Sequence, residues 1–228
     1  LPMGKRKRYR PLCAGEVMPT KARFHLLFLL GAGAVFFACD QPQPASEEMQ
    51  SVAKTELPEQ VPPLREYGGI GGDFALADQT GEHFALSQLA GRPLMLFFGY
   101  TYCPDICPVT LSKMARVYEL LHIGPQEMQT VFISVDPERD TPEKLAEYLS
   151  YFAMETIGLT GSREEIDAVV QKYGAHYDLN KEPGKSDYFA DHSTYTYLID
   201  QEGKVRFLFR HSDTPEYMAA VARQLLAD

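Results

Sequence analysis

Cysteine is scarce in this chain, with four among 228 residues, at positions 13, 39, 103 and 107. That is too few to staple a domain with disulfides, and a hydrophobic content of 45% makes staples unnecessary. A long apolar run is missing too. Phe24 to Ala38 is apolar apart from His25, but a spanning helix takes about 20 residues, so the run reads as the core of an export signal. Basic charge is also short, at 22 Lys and Arg against 31 Asp and Glu, net −9. Residues 1–38 hold seven of the basic residues and one acidic residue, which leaves a net of −15 on the rest. Such a body repels nucleic acid and anionic surfaces and suits cationic partners. No internal repeat is present.

The N-terminal region carries its own signals. Lys21 and Arg23 precede the apolar run, which ends in Phe36-Phe37-Ala38-Cys39. A small residue followed by cysteine is the pattern of a bacterial lipoprotein signal, with Cys39 lipidated as the new N-terminus. Phe36 stands where an aliphatic residue is usual, and the competing reading is an uncleaved short anchor. Met18 begins a signal of normal proportions, so Leu1 to Val17 reads as an upstream extension. The expected organisation is a signal region over 1–38, a flexible tether over 39–67 rich in Pro, Glu and Gln, and one domain over 68–228. The expected location is the bacterial cell envelope, periplasmic or on the outer face of the inner membrane. Asp40 resembles a signal for inner-membrane retention.

Within the domain, Phe74–Ala77 and Glu82–Ala85 flank a turn and predict a hairpin. Leu94-Met95-Leu96-Phe97-Phe98 and Thr130–Val135 predict strands buried on both faces. Leu111, Met114, Ala115, Val117, Tyr118 and Leu121 follow helical spacing. Thr141-Pro142 and Thr214-Pro215 each open a helix, and Ser162 with Glu165 forms a capping-box pattern for another. Ile157–Leu159 predicts a short strand, and Tyr195–Ile199 with Val205–Phe209 a second hairpin. This α/β order implies a mixed central sheet with helices on both faces and an N-terminal hairpin extension, a thioredoxin-like fold. Sites in such sheets form at the carboxyl ends of strands. Phe98-Gly99-Tyr100 ends one buried strand, and Cys103 follows at once.

Cys103 and Cys107, at i and i+4 near a helix start, can turn to one side with β-carbons about 5–6 Å apart. Backbone N–H groups there are expected to lower the thiol pKa and favour thiolate, the form that metal binding and exchange both require. Thiolates select Cu(I), zinc or iron–sulfur centres. Two cysteines are too few for an iron–sulfur cluster, and a fourth ligand for structural zinc is not evident. His192, in Asp191-His192-Ser193 before the predicted strand at Tyr195, lies in the loop that a thioredoxin-like topology puts beside the dithiol. Two sulfurs and one imidazole suit copper: sulfur holds Cu(I), and imidazole accommodates Cu(II). Asp191 is a candidate to orient His192 as a hydrogen-bond acceptor. From spacing alone, a structural disulfide between Cys103 and Cys107 fits as well, and a lone histidine before a strand is more often a surface residue. Tyr100, Tyr102 and Tyr188 read as packing, and His83, His122, His176 and His211 as surface residues.

Several segments together resemble the Sco/SenC family. They are Gly99 to Pro108 with its two cysteines, Phe132-Ile133-Ser134-Val135-Asp136-Pro137-Glu138-Arg139-Asp140-Thr141-Pro142, Gly158-Leu159-Thr160-Gly161, and Asp191-His192-Ser193 followed by Tyr197-Leu198-Ile199-Asp200. The resemblance runs from about Gly68 to the C-terminus. It implies a thioredoxin-fold copper chaperone that delivers copper to the binuclear centre of cytochrome c oxidase. Its copper ligands would be Cys103, Cys107 and His192, and its partner the copper-bearing oxidase subunit. The copper donor and the thiol reductant are not identified. The resemblance also implies a mobile flap over Asn180–Ala190. Asp136 to Pro142 has no ligand chemistry that its residue types disclose.

Two further readings share the dithiol, and no residue is assigned as catalytic. A thiol–disulfide oxidoreductase would reduce the oxidase's copper-ligand cysteines with Cys103 and Cys107 as a redox disulfide. A thiol peroxidase would need an activating Thr and Arg. Thr101 is close, and no Arg is evident nearby.

Overall fold

The computed structural model describes residues 56–181 and 188–227. The signal region, Cys13, Cys39, the first part of the tether and residues 182–187 of the expected flap lie outside the described residues.

The sheet grows from its apolar runs. β3 (Leu94–Gly99) and β4 (Gln129–Ser134) are buried at every position, as strands covered on both faces must be. They pair in parallel, and β4 pairs in parallel with β5 (Thr156–Thr160). β8 (Thr196–Ile199) joins the other side of β3 antiparallel, followed by β9 (Val205–Phe209). The predicted N-terminal hairpin forms as β1 (Ala75–Asp78) and β2 (His83–Ala85), with β1 antiparallel to β5. Asp78 ties its turn by accepting from the Thr80 hydroxyl and the amides of Thr80 and Glu82. The strand order is β2-β1-β5-β4-β3-β8-β9, a mixed sheet of thioredoxin-like kind.

The helices start where the sequence signals them. α2 (Pro142–Leu149) is capped by Thr141, whose hydroxyl accepts from the Lys144 amide. α3 (Arg163–Lys172) carries the capping box, with Ser162 and Glu165 exchanging both bonds. α4 (Pro215–Leu226) is capped by Thr214. α1 (Ile106–Leu121) begins with Asp105 at its N-cap but without a side-chain cap bond. It packs against α4.

Two features differ from the sequence reading. Residues from Leu57 onward, expected in a flexible tether, lie against the body: Leu57, Val61, Leu64 and Tyr67 pack on the core, and the Tyr67 amide donates to the Val205 carbonyl. Scattered apolar residues in a Pro- and Glu-rich stretch carry no period that would announce this contact. A second, two-stranded sheet also forms from β6 (Tyr177–Leu179) and β7 (Ala190–His192). These strands are three residues each and half polar, too short to show alternation.

The register positions the site. Gly99 pairs with Ser134 at the carboxyl ends of β3 and β4. The loop carrying Cys103 and the loop carrying Asp136 to Asp140 therefore leave the sheet side by side.

Candidate metal centre

The sulfurs are placed from below by a missing side chain. A Cβ on Gly99 would sit 2.7 Å from Phe132 Cε2 and 2.9 Å from Cys107 Sγ, so only glycine lets the first turn of α1 close onto the strand end. Cys107 is then fully buried, at 0% exposure, while Cys103, still in the loop, stays partly exposed. Both are free thiols.

The loop is held by Asp140, which is itself fully buried. Its oxygens accept from the Thr101 amide at 2.9 Å, the Thr101 hydroxyl at 2.6 Å and the Ser134 hydroxyl at 2.6 Å. Burial pushes this carboxyl up, and the hydrogen bonds from Ser134 and Thr101 oppose that. Thr101, the peroxidase candidate, is thus engaged by Asp140.

His192 arrives on β7. Its Nε2 lies 3.5 Å from Cys107 Sγ, and its ring meets Phe97 and Tyr100 edge-on at centroid distances of 5.9 and 5.8 Å. Nδ1 lies 2.9 Å from the Ser193 carbonyl. A carbonyl only accepts, so Nδ1 carries the proton and Nε2 presents its lone pair to the sulfurs. Asp191 does not orient the ring, contrary to the sequence expectation. It is exposed, and its Oδ2 accepts from Asn180 Nδ2 at 2.9 Å. Successive residues of a strand face opposite ways, so a carboxylate next to His192 on β7 points away from it.

The donor atoms of Cys103, Cys107 and His192 lie within 4.8 Å of one another, and this is the one such group of three or more potential ligands found among the described residues. Bonds of about 2.0–2.3 Å put the donors of a three-coordinate ion about 3.5–4 Å apart, so the trio fits a single ion. Sulfur and imidazole donors suit a soft or borderline metal.

The two thiols are unequal, and the lowering expected at the helix start falls on one of them. The Cys103 thiol is held well below its ordinary value, chiefly by a hydrogen bond from Cys107 and also by backbone N–H groups. Cys107 is pushed up by that same bond, by burial and by the charge on Cys103. One proton is shared, and it stays on the buried sulfur. Iodoacetamide is therefore expected to label Cys103 in preference to Cys107 in the metal-free reduced protein. Labelling should persist below the ordinary thiol range, because a lowered pKa keeps the thiolate as pH falls. Peptide mapping of the alkylated protein checks this; equal labelling of both sites would contradict it.

Other residues at the site were not legible as such. Arg139 stacks on Tyr188 at 3.6 Å from the ring centroid and on Tyr102 at 4.5 Å, and it lies 5.9 Å from Tyr100. The Tyr188 hydroxyl donates to Asp136 at 2.6 Å. The three tyrosines read as packing alone, yet they surround a cation. His83, His122, His176 and His211 are not in the donor group.

The sequence model of the SCO1/SenC family matches residues 63–227. The chain belongs to the SCO1/SenC family. A SCO2-like protein of Rickettsia felis is 43% identical over 148 residues, which cover 64% of this chain and 72% of that protein. The copper-bound structure of ScoI from Bradyrhizobium japonicum matches with 38% identity and a TM-score of 0.63, over 68% of this chain and 99% of that one. A SCO1/SenC family lipoprotein of Bacillus anthracis matches with 27% identity and a TM-score of 0.61, over 72% of this chain and 98% of that one. No helix among the described residues of this SCO1/SenC chain is long and apolar enough to cross a membrane.

Proposed function

We propose that this protein binds one copper ion through Cys103, Cys107 and His192 and passes it to the binuclear copper centre of cytochrome c oxidase. One observation carries the reading. Three soft or borderline donors, 85 residues apart between Cys107 and His192, converge within 4.8 Å. The thiolates hold Cu(I), and the imidazole with its free Nε2 accommodates Cu(II). Cys103 is partly exposed, so an acceptor thiolate can reach the ion and take it by ligand exchange. The copper bound in the ScoI relative supports the choice of metal.

The folded domain is placed at the outer face of the inner membrane by a lipid on Cys39 and the stretch of tether that follows it. The lipoprotein relative supports that arrangement. The recipient is the copper-bearing oxidase subunit. The test is to titrate the reduced protein with copper and then mix it with the metal-free subunit. The expected result is one copper per chain, followed by its appearance on the subunit. A chain that binds copper and retains it against the subunit removes delivery from the reading.

A second reading is favoured by the inequality of the thiols. A partly exposed Cys103 thiolate beside a buried, protonated Cys107 is the arrangement of an attacking and a resolving thiol. In that reading the dithiol reduces the recipient's cysteines, with both electrons coming from Cys103 and Cys107 as they close to a disulfide. Reduction of an oxidised subunit fragment without copper would favour it.

A further inference from the structure

The donors sit on two pieces of chain that no sheet hydrogen bonds join. Cys103 is on the loop between β3 and α1 and Cys107 in the first turn of α1, whereas His192 is on β7, which pairs with β6 in a separate sheet. Apart from the four-residue link from His192 to Thr196 on β8, which pairs with Phe97 on β3, the gap between imidazole and sulfurs is set by side-chain contacts. Tyr100 supplies one, accepting through its hydroxyl from the Ala190 amide at 3.2 Å. The His192 ring also packs on Phe97 and Tyr100, and further contacts come from a third segment, the loop after β4.

That loop touches both pieces. Toward the sulfurs, Asp140 holds Thr101, and the Arg139 guanidinium lies over Tyr102, the neighbour of Cys103. Toward the histidine, Asp136 accepts from Tyr188, and the same guanidinium lies over the Tyr188 ring, four residues before His192. Arg139 Nε donates to Asp136, which balances its charge, and Arg139 Nη2 is buried without a hydrogen-bond partner. A planar cation can lie on two rings while donating from its edge, which an ammonium cannot do.

We propose that Arg139 is a positioning residue of the metal centre: clasped between Tyr102 and Tyr188, it fixes how far His192 stands from the two sulfurs. Its consequence for copper rests on the copper reading above, whereas its effect on the β7 segment does not. It also gives a use to the Asp136–Pro142 segment, which the sequence left without chemistry.

The test compares the full chain with Arg139→Met and Arg139→Lys, using His192→Ala as reference. Two signals are read. One is amide hydrogen exchange at residues 188–193 in the metal-free protein. The other is the nitrogen hyperfine coupling of bound Cu(II). Arg139→Met should exchange about tenfold faster at 188–193, with β3 and β4 unchanged, and its nitrogen coupling should fall toward that of His192→Ala. Arg139→Lys should recover only part of both signals. Wild-type exchange and wild-type coupling in Arg139→Met would overturn the proposal. If Arg139→Met also loses protection in β3 and β4, Tyr188→Leu decides, because it removes the clasp from the other side. Local loosening there supports the role, and wild-type behaviour overturns it. A wild-type chain that fails to bind copper defeats the copper reading instead, and the exchange measurement still judges the clasp.

Discussion

His192→Ala is expected to lower the copper affinity of the reduced protein by at least about a hundredfold while leaving the fold intact. Partners that merely orient a metal's ligands are each worth about 10–100-fold in affinity, and a ligand should exceed them. The structure makes this a sharp case. Nε2 is 3.5 Å from Cys107 Sγ with Nδ1 tied to the Ser193 carbonyl, so the ring is already turned to donate. Competition with a chelator of known copper affinity measures the loss. Circular dichroism shows whether the fold survives truncation of a ring that packs against Phe97 and Tyr100. An affinity within a few fold of wild type would leave copper to the two sulfurs alone.

Gly99→Ala is expected to damage the same site from beneath. The new methyl would lie 2.7 Å from Phe132 Cε2 and 2.9 Å from Cys107 Sγ. Phe132 cannot yield easily. It is fully buried, and its ring meets Phe97 and Tyr148 at 6.2 and 6.1 Å. Cys107 must therefore move, and the first turn of α1 with it. Overpacking of this kind costs about 1–3 kcal/mol of stability. The displaced sulfur should also weaken copper binding by about tenfold or more, as misplacement of a ligand by an ångström does to any preorganised site. Urea unfolding and chelator competition on the same variant separate the two effects. Wild-type affinity with lowered stability would mean that the turn absorbs the methyl without moving the sulfur.

The helices and the strands of the main sheet were legible because each announces itself within a few residues. Leu94 to Phe98 is an unbroken apolar run, and Thr141-Pro142, Ser162 with Glu165, and Thr214-Pro215 are local start signals that the structure realises. The sulfurs were legible for the same reason, being four residues apart after a strand end. The imidazole was not derivable from spacing, since 85 residues separate it from Cys107. It was singled out by the loop that a thioredoxin-like topology puts beside the dithiol and assigned as a ligand by resemblance, and the structure brings it to the sulfurs.

What stayed hidden depends on burial and pairing across the fold. Asp136 and Asp140 stand in a segment whose residue types disclose no ligand chemistry, yet both are fully buried and tie β4's loop to Tyr188 and Thr101. Asp191 looked like the partner of His192, and a backbone carbonyl one residue on has that place. Side-chain acceptors can be guessed from sequence, whereas a carbonyl becomes visible only once the backbone is folded. The opposite shifts of the two thiols were hidden for a related reason: a helix start acts on both, but burial and the shared proton act on Cys107 against it.

X-ray absorption of the reduced, copper-loaded protein tests the central claim most directly, by counting what the ion touches. Two sulfurs and one imidazole nitrogen in the first shell, with the nitrogen lost in His192→Ala, is the expected result. A shell of sulfur alone, or one whose nitrogen survives that substitution, would contradict it.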